Sequence, residues 1–252
     1  MKAKILKEND EKLVINLSKI DFETANSIRR ACMNMVPTIA IEDVEITENN
    51  SALYDEILAH RLGLIPLKTD LKTYVKSEDC KCKGAGCARC TVEFTLVKKG
   101  PCTVYAKDLL SSDNKVVPVF PEMIIDKLFE NQEIKLIAKA KLNNADYHIK
   151  HSACNAFYKF EPIVEVLAKS KELDNICPKK VFKNGEVDSE KIMDCNLCLA
   201  CSDAFPKNVK VSSGKDIIFT VESFGQLNPK EIFNTALKEL SNGLEEIKKS
   251  LK

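Results

Sequence analysis

The sequence predicts an α+β fold in which two cysteine-rich segments interrupt a frame of strands and helices. The first 48 residues show strand alternation followed by helical spacing, and the last 40 show a strand followed by a long amphipathic helix. Between them, residues 68–165 are mostly strand-like. Eight of the 11 cysteines fall into two tight groups, 80–90 and 177–201, and these groups mark insertions in the frame.

The first elements follow from local patterns. KAKILK (2–7) and KLVINLS (12–18) predict two strands joined by the polar turn ENDE. Asp21 is a typical N-cap for a helix that ends before Pro37, and TIAIEDVEI (38–46) predicts a strand. The helix has a stripe of apolar residues at helical spacing: Ala25, Ile28, Cys32 and Met35.

A second helix is predicted to begin at a cap on Asn50 or Ser51 and to end at Gly63, since Pro66 prevents its continuation. Its predicted apolar side comprises Leu53, Ile57, Leu58 and Leu62. Further strands are predicted at 92–100, 102–107, 134–142 and 157–166, and the apolar periodicity then fails over 166–212.

The chain ends with a predicted strand at 216–224 and a long helix capped by Asn228, with Pro229 at its first position. Apolar residues recur along this helix every three or four positions: Ile232, Phe233, Ala236, Leu237, Leu240, Leu244, Ile247 and Leu251. So wide an apolar face requires a cover. The pattern alone leaves open whether the protein's own core or a partner subunit supplies it.

Composition narrows the class of protein. The 38 basic and 37 acidic residues give a net charge of +1, which is not the basic footprint of a free-standing DNA-binding module. We therefore expect no direct sequence-specific nucleic-acid binding. The N-terminus has no signal-peptide pattern, and no apolar run approaches the roughly 18 residues of a membrane span. We expect a cytoplasmic protein without a membrane segment.

The first cysteine group places Cys80, Cys82, Cys87 and Cys90 within 11 residues. Four thiolates are a typical ligand set for a structural Zn²⁺ site, which has no open position for catalysis. Gly84 and Gly86 permit the left-handed backbone angles that so tight a wrap needs. The sequence favours zinc over iron, and the alternative is four unbound or disulfide-paired cysteines.

The second group resembles half of a two-cluster ferredoxin. Cys195, Cys198 and Cys201 form C-x2-C-x2-C, but the expected Cys-Pro that follows is Phe205-Pro206. Counting back from Cys177-Pro178, a partner run would need cysteines at three positions, which are Leu173, Ser170 and Leu167.

One complete ligand set is therefore missing, and the other is complete: Cys177, Cys195, Cys198 and Cys201. This pattern predicts one iron–sulfur cluster, [4Fe–4S] or [3Fe–4S], with a structural or oxygen-sensitive role. A zinc ion or a redox disulfide in the same place remains an alternative.

Three segments together resemble the D-type subunits of archaeal RNA polymerases: residues 26–46, 49–67 and 219–225. The runs NSIRR (26–30) and HRLGLIP (60–66) are long and distinctive. The same segments are similar to the third-largest subunit of eukaryotic RNA polymerase II and, more distantly, to the amino-terminal domain of the bacterial alpha subunit. The resemblance covers nearly the whole chain.

The resemblance implies an alpha-subunit-like dimerisation domain formed by 1–48 and 213–252. It implies a β-rich insert domain with the zinc-type loop at 49–165, and an inserted ferredoxin-like domain at 166–212.

The resemblance also implies partners. The helices at 22–35 and 229–251 would pack against a small subunit L to form a heterodimer, and subunits N and P would complete the assembly platform. Arg29 and Arg30 match arginines that face the second-largest subunit; without the resemblance they would be solvated helix charges. The residues expected at partner surfaces are Ile28, Arg29, Arg30, Phe233, Leu237, Leu240 and Leu244.

The sequence lacks the motifs of an enzyme. No D-x-D-G-D cluster, P-loop, G-x-S-x-G or H-E-x-x-H occurs, and neither His148 nor His151 has an obvious carboxylate partner. We therefore expect a scaffold protein without a catalytic site within a nucleotidyltransferase complex. A ferredoxin-type redox protein is the alternative, but it accounts only for the second cysteine group.

Overall fold

A computed structural model of the chain describes residues 2–251, which contain 12 strands and five α-helices. The strands are β1 Lys2–Glu8, β2 Lys12–Ser18, β3 Thr38–Asn49, β4 Thr91–Lys99, β5 Cys102–Tyr105, β6 Leu110–Ser111, β7 Ile124–Leu128, β8 Glu133–Asn143, β9 Cys154–Val166, β10 Phe182–Lys183, β11 Glu186–Val187 and β12 Val209–Ser223. The helices are α1 Phe22–Asn34, α2 Asp55–Gly63, α3 Leu173–Ile176, α4 Ala200–Ala204 and α5 Pro229–Ser250. The predicted mixture of strands and helices is confirmed.

The strands form two four-stranded sheets, β1-β2-β12-β9 and β3-β8-β4-β6, and two small pairs, β5-β7 and β10-β11. Strand β8 lies between β3 and β4 and pairs antiparallel with both. Its side chains alternate between buried and more exposed positions, which is the period-two pattern of a sheet with one covered face. Helix α2 and the buried faces of β3, β4 and β8 share the largest hydrophobic core.

The chain divides into two compact units. The smaller unit contains residues 2–7, 14–27 and 157–220, and the larger unit contains 8–13, 28–156 and 221–251. The first cysteine group therefore lies in the larger unit and the second in the smaller unit. Within residues 2–251, no helix has the length and apolar character needed to cross a membrane.

Helix α1 begins as predicted. The Asp21 carboxylate accepts a hydrogen bond from the Thr24 amide at 2.7 Å, which satisfies one of the free N–H groups of the first turn. Ala25, Ile28 and Cys32 are buried, whereas Met35 lies just beyond the end of the helix and is half-buried.

Helix α2 begins later than predicted, and the expected cap on Asn50 or Ser51 is wrong. The residue before its first turn is Tyr54, whose side chain makes no capping hydrogen bond. The polar side chains upstream instead form a separate turn, in which the Asn49 amide donates to Leu53 O and to Asp55 Oδ1. Leu58 and Leu62 are buried as expected, but Ile57 is 49% exposed.

Helix α5 begins as predicted, since the Asn228 side chain accepts a hydrogen bond from the Lys230 amide at 3.0 Å. Its buried side chains lie only in the first two turns: Pro229, Ile232, Phe233 and Ala236. Leu244 is 62% exposed and Ile247 is 58% exposed. The described part of the chain therefore covers the start of the apolar face and leaves the second half open.

Candidate metal centres

The four cysteines of the 80–90 loop come together as the sequence predicts. Their sulfur atoms all lie within 4.8 Å of one another. The Cys80–Cys87 and Cys82–Cys90 separations are 3.5 Å, and the Cys87–Cys90 separation is 3.8 Å. Four sulfurs at about 2.3 Å from a tetrahedral zinc ion would be about 3.8 Å apart. The donor set therefore fits one tetrahedral metal ion.

Tight turns bring these sulfurs together. The Lys83 amide donates to Cys80 O and the Cys90 amide donates to Cys87 O, both at 2.9 Å. Gly84 and Gly86 have φ of 85° and 81°, so the predicted left-handed angles are confirmed. Strand β4 begins directly after Cys90 and anchors that end of the loop in the sheet.

Hydrogen bonds among the thiols favour a thiolate in the loop. Hydrogen bonds from the side chain of Cys80 and, to a lesser extent, that of Cys90 lower the pKa of Cys82 to about 6. The Cys87 amide also donates to Cys90 Sγ at 3.3 Å. Hydrogen bonds within the same cluster and burial raise the pKa of Cys80 to about 11. Since soft metal ions bind the thiolate and not the thiol, the lowered pKa favours metal binding at Cys82.

The second cysteine group is built differently. Cys177, Cys195 and Cys201 are buried in one small core with Leu173, Val181, Phe182 and Val209, whereas Cys198 is exposed. Within residues 2–251, only the 80–90 loop has three or more metal-ligating side chains within 4.8 Å of one another. The sulfur atoms of the second cysteine group are therefore not as close together as the binding of a single metal ion requires.

That wider arrangement is compatible with a cluster, in which each thiolate binds a different iron. Leu197 and Leu199 have φ of 58° and 63°, a left-handed conformation that branched residues rarely adopt. They lie between the three cysteines of the C-x2-C-x2-C run and turn the chain sharply at each step. All 11 cysteines are free thiols, so neither group is paired in disulfides.

Two contacts near the second group were not predicted from the sequence. Lys159 Nζ, from β9, donates to Cys195 O at 2.8 Å and also to Met193 O. The Asp174 carboxylate accepts from the amides of Asn184 and Gly185, at 2.8 and 2.9 Å. No local pattern signals either contact, because lysine and aspartate are common surface residues.

A third missed contact concerns His151, for which the sequence suggested no carboxylate partner. Its Nε2 lies 2.7 Å from Glu42 Oε1, and Lys150 Nζ lies 3.2 Å from the same oxygen. The imidazole is completely buried, and its carboxylate partner is one that the sequence did not reveal. These groups join the short 3₁₀ turn Ile149–His151 to β3 and do not form an open site.

The residues expected at partner surfaces differ in accessibility. Ile28 is 2% exposed and Phe233 is 8% exposed, so both pack mainly within the chain. Arg29 is half-buried, with a guanidinium nitrogen 3.4 Å from Met33 Sδ, and Arg30 is exposed. Farther along the terminal helix, Leu237 and Leu240 are half-buried and Leu244 is exposed.

Comparisons with known proteins first give the class. Residues 44–159 match the family described as the RNA polymerase Rpb3/RpoA insert domain. This range contains most of the β3-β8-β4-β6 sheet and the 80–90 loop, so the β-rich part is similar to the insert domain of Rpb3/RpoA polymerase subunits.

Similarity to curated proteins extends over nearly the whole chain. DNA-directed RNA polymerase subunit Rpo3 of Methanosphaera stadtmanae is 35% identical, with 98% of this chain and 97% of the relative covered. Rpo3 of Methanosarcina acetivorans is 36% identical with the same coverage. DNA-directed RNA polymerase II subunit rpb3 of Dictyostelium discoideum is 36% identical, covering 96% and 92%. The chain therefore belongs to the Rpo3/Rpb3 family of DNA-directed RNA polymerase subunits.

Proposed function

We propose that this protein is a non-catalytic assembly component of a DNA-directed RNA polymerase. The observation that carries the proposal is the end-to-end similarity to Rpo3 subunits, 35–36% identical over 98% of the chain. The two cysteine groups agree with a structural role, because a four-thiolate site leaves no position for a substrate. Nucleotidyl transfer belongs to the complex and not to this chain.

Within this family we assign the chain to the archaeal D type, acting in the cytoplasm. We propose a dimerisation domain from 1–48 and 213–252, an insert domain from 49–165 and a ferredoxin-like domain from 166–212. Subunits N and P and the second-largest subunit contact the finished platform, the last through Arg29 and Arg30.

The proposed heterodimer partner is a small L-type subunit. The exposed second half of α5 supports this assignment, since Leu244, Ile247 and Leu251 together form an apolar stripe on a helix that is otherwise strongly charged. Covering each large apolar side chain would contribute about 1.5–3 kcal/mol. The half-buried Leu237 and Leu240 extend the stripe toward the buried start of the helix.

We propose one Zn²⁺ on Cys80, Cys82, Cys87 and Cys90, and one iron–sulfur cluster on Cys177, Cys195, Cys198 and Cys201. The sulfur separations support the first assignment, and the second is supported by three buried thiols and an exposed Cys198 that are not gathered at single-ion spacing. Each centre would cross-link loops in a small region with little core of its own. An independent redox carrier is disfavoured, since that function would account for the second cysteine group alone.

Co-expression with an L-type subunit tests the partner surface. Leu244→Asp together with Ile247→Asp should abolish co-purification of the small subunit while leaving the secondary structure of the free chain unchanged. The matched control, Asn242→Asp with Lys249→Asp, places two aspartates on the opposite side of the same exposed helix and should retain the partner. Full co-purification by the leucine and isoleucine variant would contradict the proposed surface.

A further inference from the structure

The contact between Lys159 and the second cysteine group suggests a role for this lysine beyond folding. Lys159 lies in β9 and is half-buried, and its ammonium group donates to Cys195 O at 2.8 Å and to Met193 O. Met193 is the middle residue of a 3₁₀ turn, Ile192–Asp194, and Cys195 follows that turn as the first cysteine of the C-x2-C-x2-C run. All of these residues belong to the smaller unit.

We propose that Lys159 is a positioning residue for the iron–sulfur centre, an inference that depends on the cluster proposed above. The Lys159 ammonium donates hydrogen bonds to two backbone carbonyls, and these bonds fix the backbone at Cys195, where the chain turns toward Cys198. The side chain of Cys195 is buried and must leave this fixed backbone in one direction. Lys159 thus sets the position of the first thiolate before any iron is bound.

The charge of Lys159 acts in the same sense. The iron–sulfur core cancels part of the charge of four cysteine thiolates but leaves the centre negative, and a cation held at the Cys195 backbone offsets part of that remaining charge. A solvated lysine on a flexible side chain would be screened, but this ammonium is held by two hydrogen bonds. Some groups do not bind the metal themselves but hold its ligands in place through hydrogen bonds. Removing such a group commonly lowers metal affinity about 10–100-fold.

The ordinary explanation is that Lys159 only caps the short 3₁₀ turn, since cations commonly bind the last carbonyls of a helix. In that case its removal would weaken the iron-free chain but leave the electron paramagnetic resonance spectrum of the bound cluster unchanged. The two roles therefore differ in what they do to the cluster.

The full-length protein is first reconstituted with iron and sulfide in the absence of oxygen. The test then measures the rate at which iron is released to an excess of chelator. Lys159→Met should release iron about tenfold faster than the natural protein, or more. Lys159→Arg keeps the charge and the donors and should restore most of the retention. Lys210→Met, which changes an exposed lysine on β12 in the same unit, should match the natural protein.

A second readout separates the positioning role from a purely structural one. The electron paramagnetic resonance spectrum of the reduced cluster should change in Lys159→Met and return in Lys159→Arg. Equal iron release by Lys159→Met and the natural protein would overturn the role of Lys159 while leaving the cluster in place. Failure of the natural protein itself to bind iron and sulfide would overturn the cluster, and with it this role.

Discussion

His151 is completely buried, and its ring nitrogens lie 2.8 Å from Thr38 O and 2.7 Å from Glu42 Oε1. Lys150 Nζ shares Glu42 and also donates to Ile41 O at 2.9 Å. Because these partners have little access to water, removal of the carboxylate leaves buried polar groups without a partner. Glu42→Ala should lower the free energy of unfolding by about 2–3 kcal/mol, measured by urea denaturation.

The neighbouring Asp43 provides the control for Glu42. Its side chain is 62% exposed and pairs with Lys141 at 2.7 Å, so solvent screens the interaction. Asp43→Ala should change the free energy of unfolding by less than about 1 kcal/mol. Equal losses in the two variants would show that burial is not what makes Glu42 important.

Tyr74 and Asp113 give a prediction that depends on pH. The Tyr74 hydroxyl donates to Asp113 Oδ2 at 2.6 Å, and this bond is the main cause that lowers the pKa of the Asp113 carboxyl. A carboxyl with a lowered pKa stabilises the fold above its unfolded-state value of about 3.9, and this contribution disappears as the pH falls through the folded-state value.

Tyr74→Phe should therefore lower the free energy of unfolding by about 1 kcal/mol at pH 6. The difference from the natural protein should shrink as the pH falls below about 4, because Asp113 is then increasingly protonated in both proteins. Urea unfolding of both proteins at several pH values measures the difference. A loss that is independent of pH would mean that the hydroxyl does not act through the Asp113 charge.

Single residues also show which contacts a sequence can predict. The helix caps Asp21 and Asn228 were predicted correctly, because a cap binds an amide only two or three positions away. The Glu42–His151 and Lys159–Cys195 contacts join residues that are 109 and 36 positions apart. Such contacts depend on how sheets and loops are brought together, and residue types alone do not reveal them.

At the scale of elements, the turn between β12 and α5 depends on Gly225. Its φ is 94°, and a Cβ atom added there would lie 2.3 Å from Val119 Cγ1. Left-handed strain and the clash together predict that Gly225→Ala lowers the free energy of unfolding by about 2–4 kcal/mol. Thermal and urea unfolding of the purified chain measure this loss.

Gly243 is the matched control, since it lies inside α5 and a Cβ atom there would have only an ordinary 4.0 Å contact with Met35. Gly243→Ala should stabilise the chain by up to about 1 kcal/mol, because alanine favours the helix. If both alanines had the same effect, the close approach at Gly225 would not determine the turn.

The bounds of an element are predicted well where the apolar periodicity is strong. They are predicted poorly where polar side chains form hydrogen bonds in a neighbouring turn. Strand β8 alternates regularly and lies within one residue of its predicted bounds. Helix α2 begins several residues late, because Asn49 and Ser51 use their side chains in a preceding turn. For α5, periodicity predicted the helix but could not decide what covers it, since the same stripe is compatible with a core or a partner.

At the scale of the whole molecule, each cysteine group is contained within one compact unit. Residues 80–90 lie in the larger unit and residues 177–201 in the smaller one. The sequence spacing predicted that the thiols of the 80–90 run come together, which the structure confirms, whereas the second metal centre stays a prediction. The spacing could not give the distance between sulfurs, and that distance distinguishes a single-ion site from a larger one.

If the proposed zinc ion and iron–sulfur cluster are bound, this containment predicts that they are lost separately. Cys87→Ser should remove zinc and keep iron and acid-labile sulfide, whereas Cys201→Ser should remove iron and sulfide and keep zinc. The physical reason is that metal binding is coupled to the folding of the loops that supply its ligands, and each set lies within one unit.

Elemental analysis of protein purified without oxygen, after co-expression with the proposed L-type subunit, gives the metals per chain. We expect about four iron atoms and about one zinc ion in the natural protein. About three iron atoms would indicate a cluster that lacks one site, and about two zinc ions would make the second centre a zinc site as well. Loss of both metals from either single variant would contradict this prediction. It would show that one centre cannot form without the other.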